Sequence, residues 1–407
     1  MKNCIQMRNH KNFTSICLYF FALMSLLVST LNSSVAADNA ATLKPSGNTS
    51  HVVFFVNSTP DSPFWLSQVN YATAVAQALD MQLSVVYIPN KYIDRFGVFD
   101  FISNYLQKSP KVPDLIVSAL WLGAEEKLLM LMDQQKIPLI SINAHLTDRH
   151  LAVLGKPRGR FPLWLGHVSA DDVKVGNLMA EYLIQDITAS RNGEAEQAIN
   201  LFAFSGLAFT SASQQREQGL QSAVNTHKNV HLFNVVHANW DKDLAYTMMP
   251  IILKRHDDID GYWIASDIMT FGVLQGLKEL GNSSSAILAS VDWSPEMVDF
   301  IESGDVRVSF GGHFIEAGIA MTLYKDYVNV ADFADLTGTL IYVEMSKLEK
   351  SNVKTLGAFL KKPKWVSQVL RRNSRFYNPQ FIRYSFNAAD IILSHNTDAS
   401  APFKSNN

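Results

Sequence analysis

The chain has 407 residues, 47% of them hydrophobic, and a formal net charge of −2 at pH 7. A balance this close to neutral gives no pull toward nucleic acid or acidic lipid. Both cysteines, Cys4 and Cys17, lie in the first 36 residues, so the rest of the chain is no disulfide scaffold and depends on an apolar core.

Residues 1–36 read as a secretory signal peptide. Lys2, Arg8 and Lys11 give a positive start, Phe13–Val28 is a short apolar run, and Ser34-Val35-Ala36 is a small-x-small cleavage site. Residues 37–50 are small and polar and read as a flexible leader. No later run is apolar enough for a transmembrane helix, so the product is expected in the periplasm, soluble after cleavage.

Val52–Val56 is a continuous apolar run, the pattern of a strand buried on both faces. The polar loop Asn57–Pro63 follows, then a helix with Trp65, Val69, Ala72, Val75, Ala76 and Leu79 at helical spacing. Leu83–Ile88 is the next strand, completing a β-loop-α-β unit whose strands should be parallel. The rhythm repeats. Strands are expected at Leu115–Ser118, Ile137–Ile142, Leu163–Val168, Ile199–Phe204, Val230–Val236, Gly261–Ala265, Ala286–Val291 and Val306–Phe310. Helices are expected at Ala124–Gln135, Val173–Gln185, from Ser213 through Val224, Asp243–Arg255, Ile268–Leu280, Pro295–Ser303 and His313–Val328. Thr147–Pro162 reads as irregular and basic. Such alternation is the mark of doubly wound α/β layers. Asp257–Gly261 lacks the spaced ligands and closing Glu of a calcium loop and reads as a turn; no metal site is expected.

Lys347–Arg383 differs in kind. It holds ten Lys or Arg and one acid, Glu349, mixed with Phe359, Trp365, Phe376 and Tyr377. It reads either as a surface wrap whose aromatics pack on a lobe or as a docking surface for a membrane partner.

Ligands of open α/β sheets sit at the carboxyl ends of strands. Collecting the residues there gives Ser62, Phe64 and Trp65, then Ser118 and Trp121, Asn143, Arg216, Trp240, Ser266 and Asp267, Asp292 and Trp293, and His313. Strand after strand ends in a polar planar group or an aromatic. Rings that cover C–H faces, with charged groups that grip hydroxyls, suit a sugar. There is no glycine-rich phosphate loop, no HExxH, no G-x-S-x-G and no nucleophile–base pair. A small polar ligand is therefore expected, with no catalytic residues, no cofactor and no nucleic acid. Each site residue also has a plainer reading: Trp65 and Trp240 as packing aromatics, Arg216 as an ion-pair partner, Asp292 as a helix cap. His167 and His237 read as structural.

The chain resembles the type I periplasmic binding proteins, the ribose- and galactose-binding group, over roughly residues 50–345. The resemblance rests on SPFW at 62–65, PLISIN at 138–143, GHVSADDVKVGNLMAEYL at 166–183, the Arg216-x-x-Gly219-Leu220 helix start, NWD at 239–241, ASD at 265–267 and SVDWSP at 290–295. It implies two Rossmann-like lobes with parallel sheets, joined by a hinge and closing on a ligand in the cleft. The lobes would be 51–166 plus 312–346 and 167–311, followed by a basic aromatic extension at 347–395 and a disordered tail at 396–407. In the family, two aromatics sandwich a sugar ring; here they match Phe64 or Trp65 and Trp240. An arginine and an aspartate grip hydroxyls, matching Arg216 and Asp292. The chain departs where ribose binders have an Asp-Arg pair, here Asn143-Ala144, and at Ser266, Gly312 and His313. The resemblance implies a solute-binding protein that serves the membrane permease of an ABC importer. A similarity to the furanosyl-borate autoinducer receptor implies an alternative partner, a membrane sensor kinase.

Overall fold

The computed structural model describes residues 49–94, 96–120, 123–191, 197–281 and 286–396. The signal peptide, nearly all of the expected leader, the tail beyond residue 396 and the candidate Trp121 lie outside the described residues.

Two six-stranded sheets organise the fold. The first has the order β11-β5-β4-β3-β1-β2. Its strands are β1 His51–Val56, β2 Gln82–Tyr87, β3 Leu115–Ala119, β4 Leu139–Ile142, β5 Trp164–Ala170 and β11 Leu340–Val343. The second has the order β12-β10-β9-β8-β6-β7. It comprises β6 Ile199–Ser205, β7 Val230–His237, β8 Gly261–Ile264, β9 Ile287–Asp292, β10 Val308–Gly311 and β12 Ser346–Glu349. Pairings are parallel throughout except at β12, which runs antiparallel to β10. The apolar runs behave as strands covered on both faces must: all six residues of β1 are buried.

The helices fill the crossovers. They are α1 Pro63–Ala78, α2 Gly97–Lys108, α3 Glu125–Gln135, α4 Asp148–Leu154, α5 Asp172–Ser190, α6 Ser211–Thr226, α7 Lys242–Arg255, α8 Asp267–Glu279, α9 Met297–Ser303, α10 Glu316–Asn329 and α11 Ala334–Thr337. The first sheet packs a core of Val53, Phe55, Ile116, Leu128, Leu139 and Trp164. The expected lobe boundary at 166/167 falls inside β5, whose residues through Ala170 belong to the first sheet. The chain crosses to the second sheet's elements after Ala170. It returns after Gly311 to α10, which packs on α1 and β5, and crosses once more between β11 and β12. Two segments without a sequence-level helix reading are helical. One is α2, which buries Val98 and Ile102; the other is α4, opened by a capping box in which Thr147 Oγ1 accepts from the His150 N–H. Asp257–Asp260 is the irregular link into β8 and is tied to β6: Asp260 accepts the Asn200 N–H at 2.8 Å.

The extension wraps both lobes. Its helices are α12 Val353–Lys361, α13 Ser367–Arg371 and α14 Ala388–Asn396. α12 lies on α9 of the second lobe, where Lys361 pairs with Asp299. α13 lies on α1 of the first, where Arg371 Nε donates to the Ala78 carbonyl at 2.5 Å and Nη2 reaches Asp80 at 3.0 Å. Trp365 meets Tyr71 edge-on at 4.8 Å and Phe359 at 4.7 Å. Phe359 and Trp365 pack, while Phe376 is 43% exposed. Among the described residues no helix is long and apolar enough to cross a membrane.

Candidate functional site

The segments that leave the carboxyl ends of the two sheets meet. Phe64, at the start of α1 below β1, stacks on His313, just past β10, with centroids 4.5 Å apart and planes 28° apart. Trp65 stands edge-on to Phe64 at 5.4 Å. Ser62 holds the N-cap position of α1, but its hydroxyl makes no capping bond.

Arg216 is placed by backbone contact. A Cβ on Gly176 of α5 would lie 2.0 Å from the Arg216 carbonyl, and one on Gly219 of α6 would lie 2.1 Å from the Val173 carbonyl. Only glycine at both positions lets α5 and α6 approach this closely. The approach sets the Arg216 guanidinium, on a residue 5% exposed, against Asp172 on a residue 3% exposed. Arg216 Nε donates to Asp172 Oδ1 at 2.7 Å, and Nη1 to the Ala265 carbonyl at 2.6 Å. Burial works against the guanidinium charge, but Asp172, Asp292 and Glu316 together hold its pKa above the ordinary value.

Trp240 lies 5.8 Å from the Arg216 guanidinium, within cation–π range. Asn239 and Trp240 both take left-handed backbone, φ 56° and 59°. A Cβ on Gly206 would fall 1.9 Å from the Trp240 ring, so that ring lies flat on the backbone beyond β6. Trp240 thus faces the buried Arg216–Asp172 pair, while Phe64 stacks on His313, which stands 3.6 Å from Asp292.

Asp292 ends β9 with φ 129°, a strained value for any residue with a side chain. It accepts the Asp267 N–H at a long 3.4 Å, and His313 Nε2 stands 3.6 Å away. Burial first, then Asp267, pushes its carboxyl well above the usual range. Burial and the Arg216 charge push the His313 imidazole well below its ordinary value, and its Nδ1 is buried without a partner.

Other candidates are engaged within the protein. Asp267 is 1% exposed and accepts from Ser290 Oγ, Ser294 N–H, Ser294 Oγ and Ser309 Oγ at 2.5–3.0 Å. Burial still pushes it up to about 6. Trp293 is 1% exposed, and its indole N–H donates to the Ser309 carbonyl at 2.8 Å. Ser266 caps α8 through the Met269 N–H. Ser118 is buried and bonds to the adjoining Ala119 carbonyl at 3.0 Å. Asn143 adopts φ 62° and accepts the Ala144 N–H at 2.5 Å. His167 bonds Ser141 at 2.8 Å and His237 bonds Glu217 at 3.0 Å, in keeping with structural roles.

Three groups at this face escaped the sequence reading. Asp172 partners Arg216. Asn57, at the end of β1, is 6% exposed with neither amide atom partnered. Glu316 opens α10 at 1% exposure; its Oε1 accepts the Ala170 N–H at 3.1 Å, and Oε2 is buried without a hydrogen bond of good geometry. Burial, then Asp172, raises its pKa well above the usual carboxylate value. A polar residue that ends an apolar strand was the available signal for Asn57. Glu316 carried none, because its position depends on the crossing after Gly311. No cluster of acids and histidines among the described residues could hold a metal ion.

The chain is 24% identical over 285 residues to the ribose import binding protein RbsB of Salmonella typhimurium, covering 69% of this chain and 85% of that one. It is 22% identical over 289 residues to the D-allose-binding periplasmic protein of Escherichia coli, covering 70% and 82%. A crystal structure of a periplasmic sugar-binding protein from Pseudomonas fluorescens superposes with a TM-score of 0.71 at 26% identity, over 84% of this chain and 99% of that one. The family model described as periplasmic binding protein domain matches residues 52–329. With two parallel α/β lobes and a match across most of its length, the chain belongs to the type I periplasmic binding protein family.

Proposed function

We propose that this protein captures a small sugar-like ligand between its lobes by hinge closure and presents it to the membrane permease of an ABC importer, without catalysing a reaction on it. The observation that carries the reading is the buried Arg216–Asp172 pair with Trp240 over the guanidinium, and Phe64 stacked on His313 beside Asp292. Rings give apolar contact to the C–H face of a sugar, and charge-assisted hydrogen bonds to its hydroxyls give specificity. Two relatives named for ribose import and allose binding support a sugar as ligand and an importer as partner. Closure would create a surface, absent when the lobes are apart, for a permease to read. The same physical grounds divide the site residues: Phe64, Trp65, Arg216, Trp240, Asp292 and His313 would touch the ligand, while Asp267, Trp293, Ser266 and Ser118 would hold the walls.

The test is a thermal-shift screen of the chain without residues 1–36 against pentoses, hexoses, inositols and furanoses. Ligand at 100 times its Kd adds about 2.7 kcal/mol, enough to raise Tm by a few degrees. A shift with one sugar, lost in both Trp240→Ala and Arg216→Ala, is expected. A shift that survives both substitutions would put the ligand elsewhere.

A further inference from the structure

Where the lobes meet, acids outnumber cations. Arg216 is committed to Asp172 and to the Ala265 carbonyl. That leaves Asp292 and Glu316 without a guanidinium or ammonium partner in hydrogen-bond contact. His313 stands 3.6 Å from Asp292, beyond a good hydrogen bond. Asp267, the remaining acid, is saturated by Ser290, Ser294 and Ser309. Glu316 Oε2 is buried without a hydrogen bond of good geometry, the Asn143 backbone acting on the carboxyl only as a weak donor, and Asn57 Oδ1 is buried without a partner. Buried polar atoms of this kind are rare in folded proteins and point to a missing partner.

A neutral sugar would bring hydroxyl donors but no charge. An ammonium group brings three donors and a positive charge together. It is also the charge that aromatic faces favour, and Phe64 stacks on His313, 3.6 Å from Asp292. Resting on the sugar-binding reading above, we infer that the ligand is a polyol carrying a protonated amine, an amino sugar, whose ammonium group is held by Glu316 and Asp292 while Arg216 and Asn57 take its hydroxyls. The raised proton affinity of Glu316 and Asp292 agrees, since a bound cation relieves what burial and neighbouring acids impose on them.

The test uses matched pairs on the chain without residues 1–36. Glucosamine, galactosamine and mannosamine are each titrated by calorimetry beside the parent hexose and the N-acetyl form, in which the charge is gone. One amino sugar is expected to bind at least tenfold tighter than both of its uncharged counterparts. Glu316→Gln should narrow that preference toward unity. A parent hexose that binds as tightly as its amine would overturn the charge inference and leave the sugar-binding reading standing. If no compound in any pair binds, the amino-sugar inference falls and the wider sugar screen decides the sugar-binding reading. The wild-type comparison decides the matter even if Glu316→Gln folds poorly.

Discussion

Two carboxylates on helix α10 make an instructive pair. Glu316 opens the helix at 1% exposure and Asp326 lies near its end at 0%. Asp326 accepts four hydrogen bonds from the C-terminal extension: Ser374 Oγ at 2.6 Å, the Arg375 N–H at 2.7 Å, the Phe376 N–H at 3.0 Å and the Tyr384 hydroxyl at 2.9 Å. Glu316 has the Ala170 N–H on one oxygen and no hydrogen bond of good geometry on the other. Burial alone does not separate structure from function, because both acids are buried. Partner count does. A buried acid whose lone pairs are filled is a fastener. One whose second oxygen lacks a hydrogen bond of good geometry is a candidate to meet a ligand.

The sharpest way to break this contrast is Asp326→Ala. It strands four donors in the interior, so the loss of stability should be about 4 kcal/mol, read from urea unfolding. A loss under about 1 kcal/mol would mean that water replaces the carboxylate and that the extension is held by its aromatics instead.

A second test asks whether an unpartnered atom is by itself a sign of function. His167, in the middle of β5, has Ser141 on Nδ1 and nothing on Nε2. Burial pushes it down to about 3. The folded state keeps it neutral while the unfolded state takes up a proton below about pH 6.5. Stability from this group is therefore complete above pH 6.5 and falls as pH drops toward 3, by about 1.4 kcal/mol per pH unit. His167→Gln should flatten the slope of stability between pH 6.5 and 4.5 and leave ligand affinity unchanged. An unchanged slope would mean that His167 becomes protonated in place.

The smallest effect belongs to Glu316→Gln. Without ligand, it exchanges a poorly satisfied buried acid for a neutral group of the same shape. Unfolding free energy should move by less than about 1 kcal/mol in either direction. A loss as large as that of Asp326→Ala would place Glu316 among the fasteners and erase the contrast.

Much of the fold was legible along the chain because its signals are local. The largely apolar runs of β1, β3 and β6 read as strands covered on both faces, and the polar loops after them mark sheet ends. Phe64, Arg216, Trp240, Asp292 and His313 could be collected from those ends without knowing how the ends are arranged. What misled was the assumption that every polar or aromatic group at a strand end looks outward. Trp293 and Asp267 sit at such ends, yet the Ser309 carbonyl takes the indole N–H of one and three serines fill the acceptors of the other. The partners come from strands that are distant in the chain, so no local pattern announces them. α2 was open to reading, since Val98 and Ile102 lie one turn apart on its buried face, but nothing flanking it was strand-like enough to frame it.

The sequence by itself determined the alternation of strand and helix and the residue types gathered at the sheet ends, because periodicity and composition act over a few residues. Only the tertiary structure decided which of those residues keep an unfilled hydrogen bond. Burial, pairing and net charge at a point in space are sums over segments such as Ala170, Arg216, Asp292 and Glu316, which meet only because the chain crosses between its sheets.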